Sequence, residues 1–269
     1  MSGLTETAFA KLNLALHVRE RLPDGYHRIE SIFVFCEDGD ELSAEHGSAD
    51  SLKVSGEFAG GLLGADNLVK KAADVLRDAS GAGGPAALHL HKVLPVAAGL
   101  GGGSADAAAA LRLLSNLWNL PLPMERLEEI GRGLGADVAA CVRSESVRGT
   151  GRGDVLEPLA LGLAGAPVLL VNPRVELRTA DVFARWDGVD RGELEDWEDG
   201  RNDLESAATS LVPQVGGILA WLTAQSGVRI ARMSGSGATC FALFESEAAR
   251  DHAAMAVPRE WWHMVSRLR

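Results

Sequence analysis

The chain has 269 residues, of which 46% are hydrophobic, 23% charged and 5% aromatic, and its formal net charge is -11. This composition is typical of a globular protein and does not indicate intrinsic disorder. Proteins that bind nucleic acids or membrane surfaces in general need an excess of Lys and Arg. We therefore expect no nucleic acid and no membrane among the partners.

The N-terminal residues and the cysteines favour a cytoplasmic protein. The start "MSGLTETAFAK" lacks the basic and apolar regions of a signal peptide. Cys36, Cys141 and Cys240 lie far apart in apolar settings, and an odd number suits reduced thiols. Residues 206–228 carry no charge, but Pro213 and several polar residues make them a poor membrane span and favour a core helix.

Strands dominate the predicted beginning of the chain. "FAKLNLALHV" alternates between two faces, which predicts a strand with Lys11 in its middle. A Pro-Asp-Gly turn and a second run of β-branched and aromatic residues follow, so we expect a hairpin or meander. "SLKVSGEF" predicts another strand, and "DNLVKKAADVLRDA" predicts a helix that Asp66 or Asn67 caps and "GAGGP" ends.

A glycine-rich loop joins the next strand, "AALHLHKVLP", to an alanine-rich helix. The segment "GLGGGSADAAAAL" has four glycines within five residues. Such a turn leaves backbone N–H groups pointing one way at the positive end of a helix dipole, which suits phosphate. We expect Ser104 at the N-cap and Asp106 as a first-turn acid. The alternative is a tight connection whose glycines serve turn geometry alone.

The remaining elements alternate between helices and strands. "PMERLEEIGRGLG" predicts a helix that Gly135 closes, and "ADVAACV" begins directly after it. The sequence pattern changes near residue 155. After it, "APVLLVNP" and the end of "RIARMSGSGATCFALF" predict buried strands. "HLH", at His89 and His91, indicates one face of a strand rather than a zinc site. We expect two lobes, 1–155 and 156–269.

The order of the motifs resembles that of the GHMP kinases. The match runs from Lys11 to Phe244 and consists of "AKLNLAL", "PDGYH", "LPVAAGLGGGSADAA", "LGADVAA", "NDLE" and "MSGSGATCFALF". The resemblance implies an α+β, two-lobed GHMP kinase fold. Residues 1–155 would form the N-terminal ATP-binding lobe, with a mixed sheet and helices, and 156–269 a C-terminal α/β-sandwich lobe.

The resemblance also implies an activity, which is ATP-dependent phosphorylation of an alcohol group on a small molecule. "AKLNL" together with "PDGYH" favours an acceptor that carries a cytidine diphosphate group. Mg²⁺ is expected to arrive with ATP, because no pair of carboxylates indicates a metal site. We expect a monomer or weak homodimer. The alternatives are another GHMP kinase with a mevalonate, homoserine or sugar acceptor, and a non-catalytic nucleotide-binding protein.

The family's functional residues map onto named positions of this chain. Asp137 would take the proton from the acceptor hydroxyl, and Lys11 would keep Asp137 ionised and offset charge on the transferred group. The acceptor would contact Asn13, Tyr26, His27 and Phe183. ATP would contact Asn67, near the adenine, and the loop residues Pro95, Val96, Ala97, Ala98, Gly99, Leu100, Gly101, Gly102, Gly103, Ser104 and Ala105.

Several of these residues also have a plain structural interpretation. Asp137 could cap a short helix, Lys11 could be an edge-strand lysine that discourages aggregation, and His27 could be a surface residue of a strand. Two positions depart from the family pattern. Ala105 stands where the loop usually has a second serine, and the segment around Phe183 matches only loosely.

Overall fold

The computed structural model describes residues 3–60, 62 and 67–269, and the chain divides into two compact units. Each unit draws on three separate segments of the chain. The first unit comprises Met1–Ala10, Asp38–Val96 and Gly101–Ser144, and the second comprises Lys11–Glu37, Ala97–Leu100 and Glu145–Arg269. The predicted lobe boundary near residue 155 is a single point of the chain and stays a prediction.

Two long paired strands, β1 (Leu4–Arg21) and β2 (His27–His46), contribute residues to both units. The alternating pattern predicted the first of them correctly. In the middle of β1, however, both faces are buried, and the polar residues Lys11, Asn13 and His17 are only 4%, 2% and 2% exposed. Polar side chains in such surroundings need a specific reason, since burying them costs free energy.

The sheet of the first unit adds two strands, β3 (Ser51–Ser55) and β4 (Ala86–His91). β4 lies antiparallel to the end of β2 and parallel to β3. The connection between the parallel strands contains helix α1 (Leu68–Ser80), as a parallel pair requires. Asn67 caps this helix as predicted, while Asp66, the other predicted cap, lies outside the described residues.

Three more helices complete the first unit: α2 (Gly102–Leu117), α3 (Met124–Arg132) and α4 (Val138–Arg143). α2 packs against α1 and α4, and α3 packs against α4. The alanines in the middle of α2 are fully buried, because their small side chains let neighbouring helices approach closely on several sides. α3 ends before Gly135, earlier than predicted.

The last segment of the second unit begins with a hairpin of β5 (Val147–Thr150) and β6 (Val155–Pro158), whose first strand pairs antiparallel with the beginning of β2. A separate antiparallel sheet has the order β10-β7-β9-β8. Its strands are β7 (Pro167–Asn172), β8 (Val228–Met233), β9 (Cys240–Phe244) and β10 (Trp262–Arg267).

The helices of the second unit are α5 (Thr179–Ala184), α6 (Glu205–Leu211), α7 (Gln214–Thr223) and α8 (Glu247–Met255). α7 and α8 pack against the four-stranded sheet and cover its core. The uncharged stretch forms α6 and α7 instead of the single helix that was predicted, and the chain divides at Pro213. No helix in the described part of the chain is long and apolar enough to cross a membrane.

The combination of two sheets with packed helices confirms the predicted α+β class. The three cysteines are buried in three different elements, β2, α4 and β9, and no disulfide links them in the described chain. His89 and His91 lie on β4 and contact Ser55 of the neighbouring strand, so the "HLH" motif belongs to the sheet as expected.

Candidate active site

The glycine-rich loop leads directly into α2, and the helix begins with an uncapped N-terminus. Its N-cap is Gly101, which adopts a left-handed conformation (φ 63°) and makes no side-chain capping hydrogen bond. The prediction that Ser104 is the N-cap is wrong, because glycine starts the helix earlier and Ser104 lies inside its first turn. The amides of this turn have no carbonyl partner within the helix, which makes the site suitable for an anion.

Glycine occupies the positions of this loop for different physical reasons. Gly99 is required by packing within the second unit, since a Cβ there would lie 2.2 Å from the carbonyl oxygen of Ser234. Gly103 lies exposed on the first turn of α2, and a Cβ there would meet only the Leu68 side chain at 3.6 Å. The protein therefore leaves room for a side chain at Gly103, and the close approach of a ligand is a reason to keep that room empty.

The contact between Gly103 and Leu68 places the beginning of α1 beside the beginning of α2. Asn67, the predicted adenine-site residue, therefore lies near the glycine-rich helix start. Its Oδ1 accepts a hydrogen bond from the Val69 amide at 2.9 Å, and its Nδ2 donates to the Leu62 carbonyl at 3.1 Å. The helix-cap interpretation of Asn67 is thus confirmed, and contact with adenine stays a proposal.

A buried ionic cluster lies behind the start of α2 and was not found from the sequence. The Lys92 ammonium pairs with Asp40 and, at 2.7 Å, with Asp106. Asp106 is the fifth residue of the helix and is buried, so its prediction as a first-turn acid is wrong. A Cβ on Gly102 would lie 3.4 Å from the Lys92 ammonium, which places this cluster directly against the beginning of the helix.

Burial governs the protonation of this cluster. Removal from water raises the pKa of Asp106 to about 7, against the opposing charge of Lys92. Burial alone would lower the pKa of Lys92, but the charges of Asp106 and Asp40 outweigh it and raise that pKa. One oxygen of Asp106, Oδ1, is buried without a hydrogen-bond partner among the described residues. The cluster therefore holds a charged lysine and a carboxyl group that titrates near neutral pH.

Asp137 occupies the N-cap position of α4 in the first unit. Its backbone is helical (φ -82°, ψ -15°) rather than extended, and its side chain makes no capping hydrogen bond. An N-cap that acts through its side chain has an extended backbone and accepts a hydrogen bond from the first turn. The interpretation of Asp137 as a side-chain cap is therefore wrong, and the residue is partly buried.

Lys11, the other predicted catalytic residue, belongs to the second unit. Its ammonium lies 4.6 Å above the Phe33 ring, and its amide donates to the Leu100 carbonyl of the glycine-rich loop at 3.0 Å. Because the residue is almost fully buried, it is not a solvated edge-strand lysine. Lys11 and Asp137 lie in different units, and their meeting at one acceptor hydroxyl stays a prediction.

Asn13 lies two residues after Lys11 on the same strand. Its Nδ2 donates to the Ser31 hydroxyl at 2.7 Å, and its amide donates to the Ser234 hydroxyl at 3.2 Å. Its Oδ1 is buried and has no hydrogen-bond partner in the part of the chain that the structure describes. Buried acceptors without partners are uncommon and costly, so this oxygen suits a donor group on a ligand.

Ser234 links two of the predicted site segments, and sequence reasoning assigned it no role. Besides accepting from Asn13, its hydroxyl donates to the Gly99 carbonyl at 2.8 Å. The "MSGSGATC" segment was quoted as a family motif, but the sequence did not indicate which of its residues touches the loop. The structure indicates that this serine holds the loop and β1 in register.

A cavity of about 560 Å³ in the second unit brings together the predicted acceptor-binding aromatic residues. We call it the acceptor cavity. Its lining includes Tyr26, His27 and Phe183, with Arg21, Asp24, Gly25, Ile29, Arg152, Thr179, Ala180 and Ala184. The His27 and Phe183 rings are 4.9 Å apart and tilted by 35°, so the loosely matched Phe183 does lie at the same cavity.

Two features of this cavity suit a flat, uncharged ring that forms hydrogen bonds. Burial and the positive charge of Arg21 lower the pKa of His27, so its imidazole is neutral at neutral pH and offers one donor and one acceptor. Tyr26 is 60% exposed and presents its ring at the cavity. The guanidinium of Arg152, a residue not found from the sequence, lies 4.5 Å over that ring.

Comparison with known proteins identifies the family of this chain. Residues 67–145 match the GHMP kinases N terminal domain, and residues 183–263 match the GHMP kinases C terminal domain. A relative from Rhizorhabdus wittichii named 4-diphosphocytidyl-2-C-methyl-D-erythritol kinase is 54% identical, over 98% of this chain and 94% of its own. One of the same name from Novosphingobium aromaticivorans is 51% identical, over 99% and 93%.

A solved structure supports the same assignment at the level of the fold. The crystal structure of a 4-(cytidine 5'-diphospho)-2C-methyl-D-erythritol kinase superposes with a TM-score of 0.86 at 31% identity, covering 98% of this chain and 99% of the other. The predicted two-lobed GHMP kinase fold is thereby confirmed. The chain belongs to the GHMP kinases, within the family of the 4-diphosphocytidyl-2-C-methyl-D-erythritol kinases.

Proposed function

We propose that this small-molecule kinase transfers the γ-phosphoryl group of ATP to the 2-hydroxyl of 4-diphosphocytidyl-2-C-methyl-D-erythritol. The products are the 2-phosphate and ADP. The reaction is a step of the non-mevalonate route to isoprenoid precursors. The observation that carries the proposal is the acceptor cavity, where His27, Tyr26 and Phe183 lie together. Mevalonate, homoserine and sugars have no aromatic base that such a cavity would bind.

Recognition of cytosine follows from the chemistry of these side chains. A cytosine ring has flat faces that stack on an aromatic ring and an edge that carries both donors and acceptors. Neutral His27 supplies one of each, and the rings of Tyr26 and Phe183 supply stacking surfaces. An acceptor without the base leaves these polar groups unpaired, which costs binding free energy and disfavours it.

ATP is proposed to bind at the glycine-rich start of α2. Three amides of its first turn, those of Gly102, Gly103 and Ser104, lack partners within the helix, and the helix dipole favours negative charge at this end. Phosphoryl transfer is catalysed mainly by positioning and by offsetting charge. The exposed Gly103 lets phosphate oxygens approach the main chain closely. Asn67, at the neighbouring helix start, is proposed to lie near the adenine.

Asp137 is proposed as the base that takes the proton from the acceptor hydroxyl, and Lys11 as the cation that offsets charge on the transferred group. Two observations support these roles. The carboxylate of Asp137 stands at an N-cap position without capping its helix, and Lys11 is a lysine kept inside the protein at 4% exposure. The Oδ1 of Asn13, which has no partner among the described residues, is proposed to accept a hydrogen bond from a donor group of the substrate that receives the phosphate.

Mg²⁺ is proposed to enter with ATP. Among the residues that the structure describes, no group of three His, Cys, Asp or Glu could hold a metal ion. The described residues therefore offer no preformed cage of three such ligands. Magnesium often retains several waters and binds mainly through nucleotide phosphates, where it neutralises negative charge.

A comparison of acceptors tests the proposal. ADP release is measured at equal ATP with the cytidine acceptor, methylerythritol phosphate, mevalonate, homoserine and galactose. The specificity constant for the cytidine acceptor is expected to exceed the others by at least about 10³-fold, since each unpaired polar group in the site costs about 1–3 kcal/mol. A comparable specificity constant for any base-free acceptor would favour the alternative of another GHMP kinase with a different acceptor. No turnover with any acceptor would favour a non-catalytic binding protein.

We also propose that the enzyme acts in the cytoplasm as a monomer or weak homodimer. The acidic net charge of -11 and the buried positions of all three cysteines support this. Sedimentation at micromolar concentration is expected to show a species near the 28.3 kDa chain mass, and a stable larger assembly would contradict it.

A further inference from the structure

The acceptor cavity differs in charge from the chain as a whole. Its lining contains two arginines and one aspartate, Arg21, Arg152 and Asp24, which amounts to a net charge of +1 when His27 is neutral. The whole chain carries -11. A local excess of positive charge in an acidic protein attracts an anionic group to this cavity.

The backbone holds Arg152 firmly at this place. It lies in the turn of the β5–β6 hairpin, whose Gly151 carbonyl accepts a hydrogen bond from the Ile29 amide at 2.8 Å. The Arg152 amide donates to the Asp154 carboxylate at 2.9 Å. The first bond fixes the hairpin turn to the strand that carries His27, and the second closes the turn itself. The fold thus places Arg152 in the lining of the cavity.

The side chain of Arg152 leaves most of its hydrogen-bonding capacity available. Its guanidinium lies on the Tyr26 ring and one of its nitrogens pairs with Asp24, whose other oxygen accepts from the Tyr26 amide at 3.0 Å. A guanidinium has five N–H donors in a planar fork. The pair is 44% exposed on both sides, and exposed pairs of this kind contribute little stability, so exchange of Asp24 for another anion costs little.

We propose that Arg152 binds the diphosphate of the acceptor and makes the site prefer a cytidine diphosphate group over uncharged cytidine. This inference rests on the proposed function, because it assumes that cytidine occupies the acceptor cavity. Arginine pairs with phosphate oxygens through two parallel hydrogen bonds, which are stronger than its single contact with Asp24. The Tyr26 ring beneath keeps the guanidinium plane in position.

Binding of two simple probes tests this role. Cytidine and cytidine 5'-diphosphate are titrated by calorimetry into the wild type and Arg152→Gln, with a non-hydrolysable ATP analogue filling the nucleotide site. The wild type is expected to bind the diphosphate about tenfold more tightly than cytidine, the lower end for hydrogen bonds to charged groups because Arg152 is half exposed. Arg152→Gln is expected to lose this preference and to keep its affinity for cytidine within about twofold.

Control variants separate this role from a structural one. Arg126→Gln removes an exposed arginine that is ion-paired with Glu129 in the first unit, and the tenfold preference is expected to persist in it. Arg152→Lys keeps the charge but not the fork and is expected to fall between the wild type and Arg152→Gln. Thermal unfolding of each variant verifies that it is folded.

The possible results discriminate between the inferences. Equal weakening of cytidine and its diphosphate in Arg152→Gln would mean that Arg152 acts only by orienting Tyr26, which overturns the inference. An unchanged preference for the diphosphate in that variant would overturn it as well, while the proposed function would stand. Failure of the wild type to bind either probe would overturn the proposed function and this inference together.

Discussion

The buried cluster of Lys92, Asp40 and Asp106 makes the stability of this protein depend on pH in a predictable way. Asp106→Asn keeps the size of the side chain and an oxygen that accepts from Lys92, but it removes the carboxyl group that titrates near pH 7. The substitution therefore isolates one proton. Its effect is expected to be small at neutral pH and to change with pH in one direction.

The sign follows from linkage. The folded-state pKa of Asp106, about 7, lies above the unfolded value of about 3.9, so the folded protein binds this proton more tightly. The corresponding stabilisation is present at low pH and is lost as pH rises from about 4 to about 7. Each pH unit in that interval corresponds to about 1.4 kcal/mol. Between pH 5 and pH 8 the wild type should therefore lose about 2–3 kcal/mol that Asp106→Asn does not lose.

Urea unfolding of both proteins at pH 5, 6, 7 and 8 measures this difference. Titrating groups that lie away from the cluster contribute equally in both proteins, so they cancel when the two free energies of unfolding are subtracted at each pH. Coincident transitions by fluorescence and circular dichroism verify two-state behaviour. Parallel pH curves for the wild type and Asp106→Asn would refute the reasoning.

A second variant of the same cluster serves as a contrast. Asp40 accepts hydrogen bonds from the Val93 and Leu94 amides at 2.6 and 2.9 Å besides pairing with Lys92. Asp40→Asn can keep Oδ1 as the acceptor of the two amides, but its Nδ2 then faces the Lys92 ammonium, donor against donor, and Lys92 is left with Asp106 alone. It is expected to destabilise by about 3 kcal/mol at neutral pH, the scale for breaking a buried ion pair. It should also lower the pKa of Asp106, because the charge of Asp40 helps to raise that pKa.

Three further predictions concern the site. Asp137→Asn is expected to lower turnover by roughly 10²-fold with nearly unchanged binding of both substrates. Lys11→Met is expected to lower turnover as well. If either variant kept more than about half of the wild-type turnover, the substituted residue would not have its proposed catalytic role. Gly103→Ala is expected to weaken ATP binding, measured by calorimetry, without lowering the melting temperature. Gly99→Ala is the contrast and is expected to lower the melting temperature. Unchanged ATP affinity in Gly103→Ala would refute the proposal that the start of α2 binds phosphate. His27→Ala is expected to raise KM for the cytidine acceptor and leave KM for ATP unchanged, and an equal rise in both would contradict its place in the acceptor cavity.

The sequence predicted those parts of the fold that depend on local patterns. Alternation revealed β1, helical spacing revealed α1, and Asn67 caps that helix as a residue of its type should. Periodicity does not report how many sides of an element are covered. The polar face of β1, with Lys11 and Asn13, is as buried as its apolar face, and only tertiary packing decides that.

The errors at the glycine-rich loop have a common cause. Ser104 has the preferred chemistry of an N-cap, but Gly101 adopts a left-handed conformation and starts the helix before it. Because the helix starts at Gly101, Asp106 lies past the first turn, where its carboxylate pairs with Lys92, the residue after β4. A charge pair between residues on different elements leaves no periodic signal, so the ionic cluster could not be found from the sequence.

The aromatic residues of the acceptor cavity were found because a family motif marked them, whereas Arg152 and Ser234 were not. Their neighbours are distant in the sequence: Arg152 reaches Asp24 and Tyr26, and Ser234 reaches Asn13 and Gly99. Both belong to glycine-containing turns, where the sequence predicts a bend but not what lies across it. Each supports a predicted residue instead of replacing it. The motif could mark the predicted residues, whereas the residues that hold the motif in place required the structure.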